Sequence, residues 1–352
     1  MRFHTYKRLL CGGMAVLMLA MTGCTAVDKF KEMVGQGDDP APLPTPKPQV
    51  TVEYGDADPV TLDLQEGVAL SYFNADNFGR DEQGRITYQA SEDDVVMVGI
   101  DVSEHQQYPD WDKVAEDGID FAMIRVGYRG SSEGMLYKDP IFRYNLVKAH
   151  NAGLKIGVYF FSQATCRAEA VAEAYYVLSI LEEHRDKITM PVVFDWEETG
   201  SETSRTKGMN GKTVTECAKY FTDIIREGGY QPGVYFNRHM GYYLYDLAQL
   251  PDVIFWFAGT GDYSDFYYEH TIWQYTFNGK VDGVAGDVDI NLYYAPAGFD
   301  EAVLNTPDVT EDVQQEEAAE QTEGDVTQQE EIAEGTEGGE AVENGEGEAT
   351  EA

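Results

Sequence analysis

Basic residues are few and stop early. The 352-residue chain has 25 Lys and Arg against 63 Asp and Glu, a formal net charge of −38 at pH 7, and its last base is Lys280. Residues 301–352 hold 18 acids, no base and no aromatic side chain, whereas residues 1–300 hold the other 45 acids. So few cations exclude nucleic acid as a partner, because binding phosphates requires Lys and Arg to displace counterions. They equally exclude electrostatic docking on an anionic membrane surface. A segment with low hydrophobicity and one sign of charge cannot bury enough apolar surface to offset the entropy of ordering it, so 300–352 is expected to be a disordered acidic tail. Cysteine is also scarce, with four in all, and the six histidines are scattered. No Cys/His cluster has metal-ligand spacing, and no glycine-rich phosphate loop opens a helix. Neither a metal nor another cofactor is expected.

The N-terminus carries an address. Arg2, Lys7 and Arg8 precede an apolar stretch over 9–21 that is too short to span a bilayer, the layout of an export signal. It closes on Met21-Thr22-Gly23-Cys24, which resembles the lipobox of bacterial lipoproteins. That resemblance implies a signal peptide over 1–23, acylation of Cys24 and attachment to the outer face of the cell membrane by lipid alone. Prolines at 40, 42, 44, 46 and 48 favour a stiff, extended spacer over 24–50. Residues 51–95 alternate polar and apolar in short stretches broken at Asp76-Asn77 and Gln83-Gly84, predicting a small β extension. Of the cysteines left in the mature chain, Cys166 and Cys217 could pair in an oxidising exterior or be separately buried thiols.

From residue 96 onward strands and helices alternate. Apolar, β-branched runs at 96–102, 121–126, 156–161, 190–195, 233–237, 253–258, 272–276 and 284–290 suit strands buried on both faces. Apolar spacing of three or four predicts helices over 111–118, 140–152, 167–183 and 215–227, with Gly118, Gly153 and Gly228 as terminating glycines. The connections after the fifth to seventh strands are too short for full crossover helices. The prediction is therefore an α/β fold, an irregular TIM-like β/α barrel over 96–299 with eight strands and about five helices.

In such barrels chemistry gathers at the C-terminal ends of the strands. Asp101 ends the first strand, Asp195 and Glu197 end the fourth, and Asp289 is placed at the end of the last. Residues two apart on a strand face the same way, so Asp195 and Glu197 crowd together. Crowded carboxylates raise one another's pKa, which is how a site keeps one acid protonated near neutrality. Tyr159, Phe161, Trp196, Tyr235, Trp256, Trp273 and Tyr275 lie in or beside the strands. Aromatic faces beside carboxylates suit sugar rings and their hydroxyls.

At these residues the chain resembles glycoside hydrolase family 25, the Chalaropsis-type lysozymes. The matching blocks, in order, are Asp101-Val102-Ser103 with His105-Gln106 and Trp111; Asp139 with Phe142 and Asn145; Ala152-Gly153-Leu154 with Gly157-Val158-Tyr159; Asp195-Trp196-Glu197; Pro232-Gly233-Val234-Tyr235; Trp256 with Ala258; Trp273-Gln274-Tyr275; and Val288-Asp289-Ile290-Asn291. Phe160 departs from the pattern, standing where many members have His. The resemblance implies a monomeric muramidase acting on peptidoglycan glycan strands at the β-1,4 bond between N-acetylmuramic acid and N-acetylglucosamine. It makes Glu197 the general acid and Asp195 the nucleophile or the orienter of the substrate acetamide, with Asp101 and Asp289 holding the sugar. Retention of configuration is implied. A glycan-binding surface lipoprotein without catalysis is the competing expectation.

Overall fold

The apolar runs close on themselves. In the computed structural model, which describes residues 48–52 and 58–296, eight strands form one barrel: β5 (Val95–Val102), β6 (Phe121–Arg129), β8 (Lys155–Ser162), β9 (Val192–Trp196), β10 (Pro232–Asn237), β11 (Ile254–Ala258), β12 (Ile272–Gly279) and β13 (Val288–Ala295). Each pairs with the next, and β13 returns to β5. A short strand β7 (Leu136–Lys138) adds a hairpin to β6. The signal peptide, Cys24, most of the linker and the acidic tail lie outside the described residues.

Four α-helices, α1 (Trp111–Glu116), α2 (Phe142–Asn151), α3 (Arg167–Leu181) and α4 (Gly211–Glu227), and the 3-10 segment Glu182–Lys187 serve the first half of the barrel. Asn210 starts α4 earlier than the apolar spacing suggests, since its side chain accepts from the Thr213 amide. Gly118 and Gly153 take positive φ at helix ends, but after α4 that role falls to Gly229. Gly228 serves packing instead: a Cβ there would stand 2.5 Å from a Leu178 methyl of α3.

The last strand departs from the expected 284–290. Only eight residues separate β12 from β13, and Gly283 and Gly286 turn within them at φ 93° and 89°. A parallel return needs a crossover of a dozen or more residues, so the connection makes a hairpin. β13 therefore runs antiparallel to both β12 and β5, while the other seven barrel strands run parallel.

Inside, the N-terminal half of the barrel is filled by Met97, Phe121, Met123, Val193, Ile254, Ile272 and Tyr293. Small residues face the large ones: a Cβ on Gly99 would sit 2.4 Å from the Phe121 ring, and one on Gly157 2.4 Å from Met123 Sδ. Such alternation is what filling a narrow barrel requires. The floor is apolar, and the polar chemistry is left to the other end.

Residues before the barrel fall into two units, parted between Leu64 and Gln65. In the first, β1 (Gln49–Val52) and β2 (Val60–Asp63) form an antiparallel hairpin. In the second, β3 (Phe78–Arg80) and β4 (Ile86–Tyr88) form another, turning at Gly84 with φ 78°. Phe73, Phe78 and Tyr88 of that stretch pack with Tyr294 and Trp273 on the outside of the barrel.

Candidate active site

The C-terminal mouth of the barrel holds a cleft of about 340 Å3 lined by Asp101, Asp195, Glu197, Asp289, Tyr159, Phe161, Tyr235 and Trp256, together with Ser103, His105, Gln106, Arg125 and Gln274. All four predicted carboxylates meet there. Asp101 arrives at the end of β5, and Asp195 and Glu197 by their two-residue spacing on β9. Asp289 arrives by a different route: it opens β13 rather than ending it, and sits opposite Asp101 because that strand is reversed.

Three of the seven predicted aromatics do not line the cleft. Alternation along β9 turns Trp196 away from Asp195, and its indole donates to the Ala164 carbonyl at 3.2 Å. On β12 it is Gln274 that faces inward, so Trp273 and Tyr275 point outward. Trp273 donates to the Gly259 carbonyl at 2.7 Å and packs on Phe78. The Tyr275 hydroxyl is buried outside the cleft, beside the Ile86 backbone. A strand buried on both faces has no polar side to mark its orientation, so residue type alone could not separate inner from outer rings. Tyr275→Phe should therefore leave KM for a glycan unchanged, because the ring lies outside the cleft. A rise in KM would return Tyr275 to the substrate.

The remaining aromatics shape the cleft. Tyr235 and Trp256 stand edge to face at 4.9 Å, and Tyr159 meets Trp256 at 5.9 Å. Tyr235 donates to Gln274 Oε1 at 2.8 Å, and Trp256 donates to Asn291 Oδ1 at 2.8 Å. These two amides pass the order on to the acids. Gln274 Nε2 donates to Asp101 at 2.8 Å and to Asp289 at 3.2 Å, and Asn291 Nδ2 donates to Asp101 at 2.8 Å.

The carboxylates differ in what surrounds them. Burial pushes Asp101 up to about 6, against the two amide donors that favour its charge. Asp289 is pushed up to about 8, by burial first and by the Asp101 charge second. The amide donors therefore favour charge on Asp101 over Asp289, which matters where like charges share one site. Asp195 is raised well above the carboxylate range by burial, then by Glu197 and Asp101, and its Oδ1 is buried without a hydrogen-bond partner among the described residues. Glu197 is raised by burial and by Asp289.

Reading by strand ends missed several contributors. Arg125, a cation inside the apolar run of β6, bonds Asp139 at 2.9 Å and Glu104 at 2.8 Å, and its charge opposes the rise at Asp195. Asp139 is buried, and its carboxylate also accepts from the Glu104 and Ile141 amides. A lone Arg amid Phe, Ala, Met, Ile and Val was the available signal. Gln274 and Asn291 are uncharged and carry no strand-end signal of their own, yet both donate to Asp101. Away from the cleft, Cys166 is exposed and Cys217 buried, and both are free thiols.

The Glycosyl hydrolases family 25 model matches residues 100–284, more than half of the chain. Lysozyme M1 of Streptomyces globisporus is 29% identical over 211 residues, covering 56% of this chain and 68% of its own length. The autolytic lysozyme of Clostridium acetobutylicum is 24% identical over 199 residues, 56% of each. Among solved structures, the modular autolysin LytC of Streptococcus pneumoniae in complex with a synthetic peptidoglycan ligand superposes with a TM-score of 0.52 at 20% identity. That match covers 70% of this chain and 56% of LytC, so the chain spans about half of that protein, and the likeness concerns the fold.

Proposed function

The chain belongs to glycosyl hydrolases family 25, and from that premise we propose that it is a muramidase cleaving the β-1,4 bond that follows N-acetylmuramic acid in peptidoglycan. The observation that carries the reading is the β9 pair. Asp195 and Glu197 face one cleft, and burial and the charge of Asp289 raise the Glu197 carboxyl above its ordinary value.

A glycosidic oxygen leaves as an alcohol only if it receives a proton as the bond breaks. Glu197 supplies that proton. Asp195 presents a buried oxygen that nothing in the described protein bonds, and an acetamido N–H of the sugar fits that acceptor. Held by Asp195, the acetamido oxygen attacks the anomeric carbon from the face opposite the leaving group, and water then opens the intermediate with net retention. Asp101 and Asp289 take sugar hydroxyls, one as acceptor and the other as donor. Tyr235 and Trp256 offer ring faces to the apolar side of the pyranose.

Digesting purified peptidoglycan, reducing the fragments with borohydride and weighing them tests the bond. Reduced N-acetylmuramic acid at the new ends is expected, and reduced N-acetylglucosamine would overturn the assignment. Binding of peptidoglycan without new ends would make the protein a glycan-binding module instead. Because Glu197 is raised above the ordinary carboxylate value, the alkaline limb of kcat/KM should fall above pH 4.5. A limb at the ordinary value would show that another group is the acid.

We further propose that the protein works outside the cytoplasm, attached through acyl chains on Cys24, with 51–95 preceding and the acidic tail following the catalytic barrel. Labelled fatty acid should enter the wild-type chain and be lost in Cys24→Ser; labelling of both would refute the anchor.

A further inference from the structure

Glu197 stands just past the last residue of β9, where the strand no longer holds the backbone. What holds it is Gln163, a fully buried side chain at the end of β8. Its Nε2 donates to the Glu197 carbonyl at 2.8 Å and to the Ser162 carbonyl at 2.9 Å. Its Oε1 accepts from the Thr206 hydroxyl at 3.0 Å. Both amide hydrogens and the amide oxygen are therefore engaged, which fixes the amide's orientation.

Thr206 is buried too and belongs to the segment 198–210 that follows Glu197. That segment is tied down again by Arg205. Its guanidinium reaches the Gln163 carbonyl at 3.3 Å and Glu169 at 2.5 Å, and its backbone amide donates to the Ser131 carbonyl at 2.9 Å. The peptide of Glu197 is thus held from β8 by one side chain, whose own orientation depends on the loop Glu197 begins.

We propose that Gln163 is a positioning residue for Glu197: its amide links the Glu197 peptide to Thr206 and so sets the direction in which the Glu197 carboxyl enters the cleft. Gln163 is not among the residues that line the cleft. The assignment rests on the reading of Glu197 as the acid. Misplacing a reacting group by about 1 Å costs on the order of 10²-fold, and taking the Gln163 donor from the part-buried Glu197 carbonyl is what would move this one.

The test compares Gln163→Leu and the milder Thr206→Val with wild type on soluble peptidoglycan fragments. Gln163→Leu should lower kcat by about 10- to 100-fold with KM within about twofold, and Thr206→Val should lower it less, in the same direction. In both, the alkaline limb should move to lower pH, since a carboxyl that turns toward water loses the burial that holds its proton. Normal kcat and an unmoved limb, with only a lower melting temperature, would reduce Gln163 to a packing residue. Carbon-13 NMR titration of the Glu197 carboxyl needs no turnover. If wild type proves inactive the muramidase reading fails, while a Glu197 titration that is the same in wild type and Thr206→Val overturns the positioning role by itself.

Discussion

Glu197→Gln should lower the release of reducing ends from peptidoglycan by about 10²- to 10⁴-fold, the range that a positioned general acid supplies. The amide keeps the shape of the side chain and removes the transferable proton. Stability should not fall with activity. The Glu197 carboxyl is raised by burial and by the charge of Asp289, so its ionised form is disfavoured where it stands, and a neutral amide relieves that. A melting temperature equal to or above that of wild type, with binding to peptidoglycan retained, is the expected pair of results. Undiminished turnover would remove Glu197 from the mechanism and leave the cleft's other carboxyls to be tested as the acid. Loss of turnover together with collapse of the melting temperature would show a structural residue instead.

Arg129→Met should cost the fold about 3–5 kcal/mol, the usual result of stripping one partner from a buried ion pair. Arg129 Nε bonds Glu173 Oε1 at 2.6 Å, with the two side chains 7% and 0% exposed. Ser162 donates to the other Glu173 oxygen at 2.6 Å. The same guanidinium also donates to the Gly134 carbonyl at 2.6 Å and the Glu169 carbonyl at 3.0 Å. The pair therefore joins α3 to β6, to the end of β8 and to the loop before β7. Burial raises Glu173 to about 7 even with the hydroxyl and guanidinium favouring its charge. A carboxyl raised on folding binds its proton more tightly in the folded state, so its contribution to stability is complete at acid pH and is lost as pH rises through about 7. Without Arg129 the ionised form is worse placed still. Thermal melts at pH 5.5 and pH 8 should show the variant's deficit growing with pH. A deficit below about 1 kcal/mol that does not change with pH would mean that water reaches Glu173.

Much of the site was legible before folding because period two is a local property. Asp195 and Glu197 stand two apart where β9 ends, so alternation points both to one face once that run is read as a strand. Asp101 followed from the same logic. Asp289 joined them although the reasoning placed it at the wrong end of its strand: the short connection from β12 forbids a parallel return, and the reversed strand brings its first residues to the mouth. Trp196, Trp273 and Tyr275 show the limit of that logic. On strands covered on both sides an aromatic ring is as suitable outside the barrel as inside, and only the register against neighbours separates the two.

The sequence by itself determined the barrel, through eight apolar runs of strand length with helices between the early ones, and it determined which acids could meet, through alternation. Tertiary structure alone decided what those acids can do. Charge is favoured on Asp101 over Asp289 because Gln274 and Asn291, from the last two strands, donate mainly to one of them. Glu197 holds its proton more tightly than a free carboxyl because the cleft buries it beside Asp289. Protonation depends on distances between strands far apart in the chain, and those distances exist only after the barrel closes.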